Sequence, residues 1–237
     1  MPIIPPSRLS RRAAAAICLA LLGTAAFLVL RFPTLPDVLP VHFNARGFPN
    51  GWQYRTLGRV LLPVFIQLAL AASLGAIAAL LLSRGTRDDA PDARDAPDVR
   101  AAAAAAETVL LIASIWVAFQ AYAAFALVRM WTTGRAGLGP AYVALEGVGL
   151  VLTVAVAVRG HAKIGRPMPR PFVPGHWRFS QLYKNAEDPA LFVPTRDGTR
   201  WTLNFGRPVA AALLGGILML GVVAPTVILV LALRFNF

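Results

Sequence analysis

Residues 57–83 read LGRVLLPVFIQLALAASLGAIAALLLS, an apolar run interrupted by one arginine and one glutamine. About 20 apolar residues in a helix cross the ~30 Å hydrocarbon core of a bilayer. Hydrocarbon cannot hydrogen-bond an exposed backbone amide, so a run of this length must be helical. Four further apolar runs cover residues 13–30, 104–131, 139–158 and 209–233. The sequence therefore predicts an all-α integral membrane protein with about five transmembrane helices.

Composition and charge agree with that class. The chain of 237 residues is 57% hydrophobic and 14% charged, whereas about a quarter of the residues of a soluble domain are charged. A formal net charge of +12 could indicate nucleic-acid binding, but the basic residues lie between the apolar runs. Membrane proteins distribute their basic residues in this way. We therefore expect the lipid bilayer as a partner and no direct nucleic-acid partner.

The orientation in the membrane follows from the same residues, because cytoplasmic loops carry an excess of Lys and Arg. With the N-terminus in the cytoplasm, 16 of the 23 basic residues fall in inside segments and 7 fall outside or at outer helix ends. The first run ends in bulky residues rather than in a small-residue cleavage site, so we interpret it as a retained anchor. The prediction is an N-in, C-out chain.

The apolar runs divide the chain into seven parts. In order, these are 1–31 (cytoplasmic N-terminus and first helix), 32–56 (extracellular motif loop), 57–83 (second helix), 84–103 (cytoplasmic linker), 104–158 (third and fourth helices), 159–208 (cytoplasmic basic and aromatic domain with a β-hairpin) and 209–237 (fifth helix). The linker alternates Asp, Arg, Ala and Pro without an aromatic residue, so it cannot build an apolar face and is interpreted as solvated.

The hairpin is predicted from Asp197-Gly198, which lies between two runs of alternating apolar residues. This dipeptide favours a type I′ turn, in which both central residues need a positive φ. Pairing outward sets Pro194 opposite Trp201 and Phe192 opposite Leu203. One face is then apolar and consists of Phe192, Pro194, Trp201, Leu203 and Phe205. A face of this size predicts contact with the bilayer surface, the preceding aromatic residues or a cytoplasmic partner.

The extracellular loop contains LPDVLPVHFNARGFPNGW at residues 35–52. Residues 41–44 can form a short strand, and Gly47 and Asn50-Gly51 permit tight turns. His42 and Asn44 would then point the same way, which suits a small polar recognition site. The predicted ligand-binding residues are His42, Asn44, Gly47 and Trp52. The alternative is structural: Asn44 caps a turn, His42 bonds a local carbonyl and Trp52 lies at the membrane interface.

Polar groups are costly inside the apolar runs, and we single out four polar residues there as candidate intramembrane sites. They are Gln67, Gln120, Arg129 and Glu146. Arg129 and Glu146 lie on helices joined by a short loop, so they could form an interhelical ion pair that fixes packing. The alternative is a proton or substrate site at Glu146, which makes a small transporter or a transporter accessory subunit the rival function.

Catalytic patterns are missing from the sequence. It has no Gly-Lys-Ser/Thr phosphate loop, no Gly-x-Ser-x-Gly and no His-Glu-x-x-His. Of its three histidines, His42 lies outside while His161 and His176 lie inside, so no trio can form a zinc site. We expect no enzymatic activity, no metal and no cofactor.

The outside stretch resembles the extracellular signature of the SdpI-type bacterial membrane proteins, a small domain of unknown function between the first two helices. The matching residues are Leu35, Pro36, Pro40, His42, Phe43, Asn44, Gly47 and Trp52. Asn50 departs from the family, which frequently has Asp there. Residues 188–194 (DPALFVP) and 201–206 (WTLNFG) resemble a second small domain of unknown function often found in such proteins, although Thr195 and Arg200 stand where Lys and Gly are expected.

This resemblance implies a multi-pass protein of the bacterial cell membrane that acts in immunity to a secreted killing peptide or in membrane signalling. The implied partners are a secreted peptide outside and a regulatory protein inside. The sequence does not decide whether the protein forms a homo-oligomer.

The orientation gives a first test. In a chain whose Cys18 has been replaced, Thr34→Cys should react with a membrane-impermeant thiol reagent in intact cells, because residues 32–56 are predicted outside. Ser180→Cys should react only after the cells are opened. Labelling of position 180 alone in intact cells would reverse the orientation.

Overall fold

The computed structural model describes residues 4–44, 48–83, 96–135, 137–179 and 181–219. The α-helices are α1 (Arg8–Arg31), α2 (Leu57–Val60), α3 (Leu62–Leu81), α4 (Pro97–Thr133), α5 (Pro140–Ile164) and α6 (Pro208–Leu218). The strands are β1 (Val38–Phe43), β2 (Pro49–Tyr54), β3 (Trp177–Arg178), β4 (Leu182–Tyr183), β5 (Phe192–Pro194) and β6 (Trp201–Leu203). They form three antiparallel pairs, β1–β2, β3–β4 and β5–β6.

Four of the described helices, α1, α3, α4 and α5, are long and apolar enough to cross a membrane. The helical fold is thus confirmed, and these helices are those of a multi-pass membrane protein. The fifth predicted span is described only as the 11-residue α6, and the remainder of its apolar run lies outside the described residues.

Two helices are longer than predicted. α4 begins at Pro97, so residues 97–103 are helical rather than part of a solvated linker. Proline is well tolerated in the first turn of a helix, Asp98 favours the positive end of the helix dipole, and the alanines that follow have the highest helix propensity. α5 continues to Ile164, beyond the predicted end at residue 158.

The chain divides into two compact units. Unit 1 comprises residues 1–11, 74–110 and 156–227, and unit 2 comprises residues 12–73, 111–155 and 228–237. In unit 1 the buried core joins Ile4, the end of α3, the start of α4 and the start of α6. The alanines of α4 allow close approach there, and Ala102 and Ala106 are almost fully buried. Gly160 on α5 lies so close to Thr108 that a Cβ would overlap its side chain.

Unit 2 has its own buried core. Leu28 on α1, Leu39 on β1 and Val60 on α2 are fully buried and pack with residues of α4 such as Met130 and Trp131. α5 contributes little to this core, since only 6% of an apolar 18-residue stretch of the helix is buried. A helix so apolar and so exposed needs hydrocarbon around it.

The strand register of the β5–β6 hairpin is the predicted one. Phe192 pairs with Leu203 and Pro194 pairs with Trp201. The predicted type I′ turn is wrong, because Gly198 has φ +69° whereas Asp197 does not have a positive φ. The Asp197 carboxylate instead accepts hydrogen bonds from the hydroxyl groups of Thr195 and Thr199 and from the Thr199 N–H. These bonds shape a wider loop.

The apolar face of this hairpin is covered within the chain. Phe192, Leu203 and Phe205 pack against the core of unit 1, and Pro194 is buried. The Trp201 indole N–H donates to the Gly165 carbonyl at 3.0 Å. The sequence could not decide what covers this face, and the structure assigns most of it to intramolecular packing rather than to an open partner surface.

Asn204 holds the segment around this hairpin together, and it is fully buried. Its amide nitrogen donates to the carbonyls of Asn185 (2.8 Å), Asp188 (3.2 Å) and Ala190 (3.2 Å). Its amide oxygen accepts from the N–H groups of Asn185 and Gly206. One side chain thus satisfies five backbone groups that the short strands leave unpaired.

Replacing Asn204 tests this assignment. Asn204→Asp keeps the shape and removes every donor, so three buried carbonyls would face a carboxylate. We expect a loss of about 3 kcal/mol or more and faster protease cleavage within residues 182–207 in detergent. Asn50→Asp, the same change at an exposed strand position, should leave both stability and cleavage unchanged. Equal behaviour of the two variants would contradict the role of Asn204.

Candidate ligand site beside the β1–β2 hairpin

The predicted motif loop forms a β-hairpin, β1–β2, whose pairing is irregular near His42. Pro40 pairs with Trp52 and His42 pairs with Gly51, and the register shifts on both sides of His42. Asn50-Gly51 therefore lies inside a strand, and the predicted tight turn at this dipeptide is wrong. Gly51 is needed for a different reason, since a Cβ there would stand 2.7 Å from the His42 ring. The glycine makes room for the imidazole.

Asn44 closes the hairpin rather than pointing with His42. It lies one residue beyond β1. Its N–H donates to the Phe48 carbonyl at 2.9 Å, and its side-chain oxygen accepts from the Phe48 N–H at 3.0 Å. Such side-chain-to-backbone bonds are typical of Asn in turns. This geometry matches the structural alternative for Asn44, and Gly47 lies outside the described residues.

Arg55 fixes the entry to the hairpin, a role that no sequence pattern indicated. One guanidinium nitrogen donates to the carbonyls of Phe32 (2.8 Å) and Leu35 (2.6 Å), and the other donates to the Asp37 carboxylate at 3.2 Å. The guanidinium also stacks over the Phe32 ring at 4.9 Å. A planar cation with five donors is suited to this task. The segment between α1 and β1, which begins with a 3₁₀ turn at Phe32–Thr34, is thereby held in one conformation.

The hairpin is anchored on α4. The Trp131 indole N–H donates to the Pro40 carbonyl at 3.1 Å. Leu35 and Leu39 are buried in the core of unit 2. An aromatic anchor with one polar bond gives both burial and orientation. The position of β1 against the helices is therefore defined by packing and by a directional bond.

A cavity of about 540 Å³ lies beside this anchor. Its polar lining consists of His42, Gln53, Arg59, Gln120 and Tyr142. Its other lining residues are Pro40, Val41, Gly58, Leu62, Pro63, Ile66, Ala123, Leu127, Trp131 and Leu138. Mostly apolar walls with a few polar groups are typical of sites for small or amphipathic ligands, and the volume lies in the usual range.

The cavity brings together two residues that the sequence placed in separate predicted sites. His42 comes from the β1–β2 motif, and Gln120 is one of the polar residues of the apolar runs. Arg59, at the rim, donates to the Tyr54 carbonyl at 2.6 Å and adds a positive charge. Trp52 does not line the cavity, and its side chain is 60% exposed. Of the four predicted ligand residues, His42 alone is brought to this site among the described residues.

The predicted pair of Arg129 and Glu146 does not form. Both side chains are exposed, and no ion pair joins them in the part of the chain that the structure describes. The helix faces that carry them do not meet, and this could not be read from their position along the helices. Gln67 is fully buried and donates to the Thr24 hydroxyl (3.1 Å) and the Val117 carbonyl (2.9 Å). Its role is to join α1, α3 and α4.

Within the described residues, a buried carboxylate is paired at Glu107 instead. The Lys163 ammonium donates to both carboxylate oxygens at 2.8 and 2.9 Å, Arg159 donates at 3.3 Å, and the Ser7 hydroxyl donates at 2.6 Å. Glu107 is 2% exposed. The cluster joins the N-terminal segment, α4 and α5. The signal available in the sequence was an acidic residue within the apolar run 104–131.

Comparison with known proteins supports the two motifs and assigns neither a ligand. A domain of unknown function (DUF1648) matches residues 19–66, which include β1, β2 and Arg55. A family of unknown function (DUF5808) matches residues 186–210, which include β5, β6 and Asn204. No curated protein and no solved structure matches the chain.

Removing the charge of Glu107 should weaken unit 1. Glu107→Gln leaves Lys163 and Arg159 without their buried counter-ion, and breaking a buried pair is strongly destabilising. Because both cations are half exposed to solvent, we expect a smaller loss of about 2 kcal/mol, or about 4–8 °C in the thermal midpoint. Glu187→Gln, at an exposed site, is the control. An unchanged midpoint for Glu107→Gln would show that the cluster does not support the fold.

Proposed function

We propose that this chain is a non-enzymatic, SdpI-type protein of the bacterial cell membrane that acts in peptide-toxin immunity or in signalling to a cytoplasmic partner. The site is the cavity beside the β1–β2 hairpin, which receives an apolar side chain of a secreted peptide. One observation carries this proposal. The cavity joins His42 of the SdpI-like motif to Gln120 of a helix that can span the membrane.

The chemistry of the cavity fits a peptide. Apolar walls take up a large side chain, while His42, Gln53 and Gln120 can exchange hydrogen bonds with peptide backbone groups. Arg59 favours a carboxylate or a carbonyl at the rim. The Arg55 and Asn44 bonds hold the hairpin before any ligand arrives. A preorganised site loses little conformational entropy on binding, which favours recognition of a flexible peptide.

The helix α4 supports the signalling half of the proposal. It contributes Gln120, Leu127 and Trp131 to the cavity, and the same continuous helix carries Glu107, which bonds the N-terminal Ser7. A ligand-dependent change in α4 would therefore alter the bond between Glu107 and Ser7 in the N-terminal segment. The rival transport function rests on Glu146, which is exposed and is not among the residues that line the cavity.

Filling the cavity tests the proposal. Gly58 lines the cavity, and a Cβ built there meets no atom within 4 Å. Gly58→Phe should therefore occupy the space without disturbing the fold. In cells sensitive to a secreted killing peptide, the wild-type chain should protect and Gly58→Phe should lose protection by at least about tenfold, which corresponds to one lost contact of ~1.4 kcal/mol.

Gly147→Phe is the matched control, because Gly147 is equally open but does not line the cavity. This variant should protect like the wild type. Both variants are checked for equal amounts in the membrane and for a single peak in size-exclusion chromatography. Full protection by Gly58→Phe would exclude the cavity as the binding site, and equal losses in both variants would make the effect nonspecific.

A further inference from the structure

The tip of the β3–β4 hairpin has an unusual backbone. The Gln181 N–H donates to the Arg178 carbonyl at 3.1 Å and closes a tight turn. Within that turn, Phe179 has φ +50° and is the one non-glycine residue with a positive φ in the part of the chain that the structure describes. L-amino acids with large side chains rarely adopt this conformation, because it brings the Cβ close to the backbone. The turn is therefore strained at an aromatic residue.

Burial of the Phe179 side chain within the described part of the chain does not offset this backbone strain. It is 90% exposed. Strained residues persist where the surrounding structure enforces them, and they cluster at functional positions. An aromatic ring that is both strained and exposed indicates a contact outside the chain.

The stem of this hairpin holds the tip firmly. The Tyr183 ring meets Trp177 and His176 edge-on, at centroid distances of 5.3 and 5.8 Å. The Lys184 N–H donates to the His176 carbonyl at 2.8 Å, and the Phe205 N–H donates to the Tyr183 carbonyl at 2.9 Å. Phe179 is therefore presented by a packed and bonded stem.

The surroundings of the tip are basic. Residues 159–208 contain nine Lys or Arg and three Asp or Glu. Arg178 and Lys184 flank the tip, are exposed, and take part in no ion pair among the described residues. A groove beside the turn is lined by Gln181, Arg196 and Arg200.

Two of the three acidic residues of this segment accept hydrogen bonds from side chains. Asp197 also lines this groove, and hydrogen bonds from Thr195 and Thr199 lower its pKa to about 2. The Asp188 carboxylate is bonded by Arg170 and by the Tyr183 hydroxyl. The surface around Phe179 therefore has a net positive potential, and its exposed basic side chains are available to a partner.

The segment is also tethered beside the bilayer. It leaves α5 at Ile164 and enters the apolar α6 at Pro208, and Trp201 bonds the Gly165 carbonyl at the end of α5. Aromatic rings favour the membrane interface, and anionic headgroups attract Lys and Arg next to a transmembrane helix. We propose that the β3–β4 tip inserts Phe179 into an anionic bilayer surface, with Arg178 and Lys184 on the lipid headgroups.

The insertion can be measured with an environment-sensitive dye. The full chain, with Cys18 replaced, receives Phe179→Cys or the control Ala186→Cys, an exposed site in the same segment, and each is labelled with bimane. Both are reconstituted into vesicles of phosphatidylcholine, alone or mixed with an equal part of phosphatidylglycerol. Spin-labelled lipid then quenches dye that touches the bilayer.

In the anionic vesicles we expect quenching at position 179 at least about twofold above that at 186. This difference should shrink in phosphatidylcholine alone and when Arg178→Gln and Lys184→Gln are added, because about 1 kcal/mol of attraction per basic residue is lost. Equal quenching at both sites would overturn the proposal and leave a protein as the occupant of the tip. The proposal would also be overturned if quenching at position 179 were the same in both lipid mixtures and unchanged by both Gln variants.

A second variant separates insertion from folding. Phe179→Gly relieves the positive φ and removes a side chain that packs on nothing in the chain. Its thermal midpoint in zwitterionic detergent should equal or exceed that of the wild type. A clear fall would show that Phe179 packs within the protein, which contradicts the proposal.

Discussion

Hydrocarbon offers no partner for a hydrogen bond, and this constraint governs the whole chain. Backbone groups inside the bilayer must bond within their own segment, so the apolar runs become α1, α3, α4 and α5. The same constraint applies to side chains. Gln67 uses its two donors on Thr24 and Val117, while its buried oxygen has no partner among the described residues. Polar side chains are therefore few in these helices, and Gln67 uses its own to join three of them.

Outside the helices, side chains rather than regular secondary structure supply many of the hydrogen-bond partners of the backbone. In the part of the chain that the structure describes, the strands outside the helices form short two-stranded sheets, which are marginal on their own. Arg55 supplies donors to the carbonyls before β1, and Asn204 satisfies five backbone groups around β5 and β6. Both residues fall in the segments that match families of unknown function. In both matched segments, one side chain satisfies backbone groups beside a short hairpin.

The sequence predicted features that depend on residues close together in the chain. It missed features that depend on contacts between distant segments. Length and apolarity predicted the helices, and Asp197-Gly198 predicted the register of β5 and β6. The similar dipeptide Asn50-Gly51 lies within a strand, because there the glycine makes room for His42 across the hairpin. Glu107 rather than Glu146 is paired, since pairing depends on which helix faces meet. The cavity draws its lining from five separate parts of the chain, and no local pattern contains that information.

A receptor function needs more than a cavity, because a ligand shifts an equilibrium only by its difference in affinity between two states. The side chains that could sense occupancy, Gln120 and Trp131, lie on α4, and Trp131 also holds the hairpin through Pro40. A peptide side chain that enters the cavity must therefore either accept the existing contact between hairpin and helix or compete with it. In the first case binding stabilises the resting state and the chain acts as a sink for the peptide, which suffices for immunity. In the second case the hairpin is released from α4, and only then does binding alter a helix that also carries Glu107. Under the proposed function, the Trp131–Pro40 bond is thus the contact that would distinguish immunity from signalling.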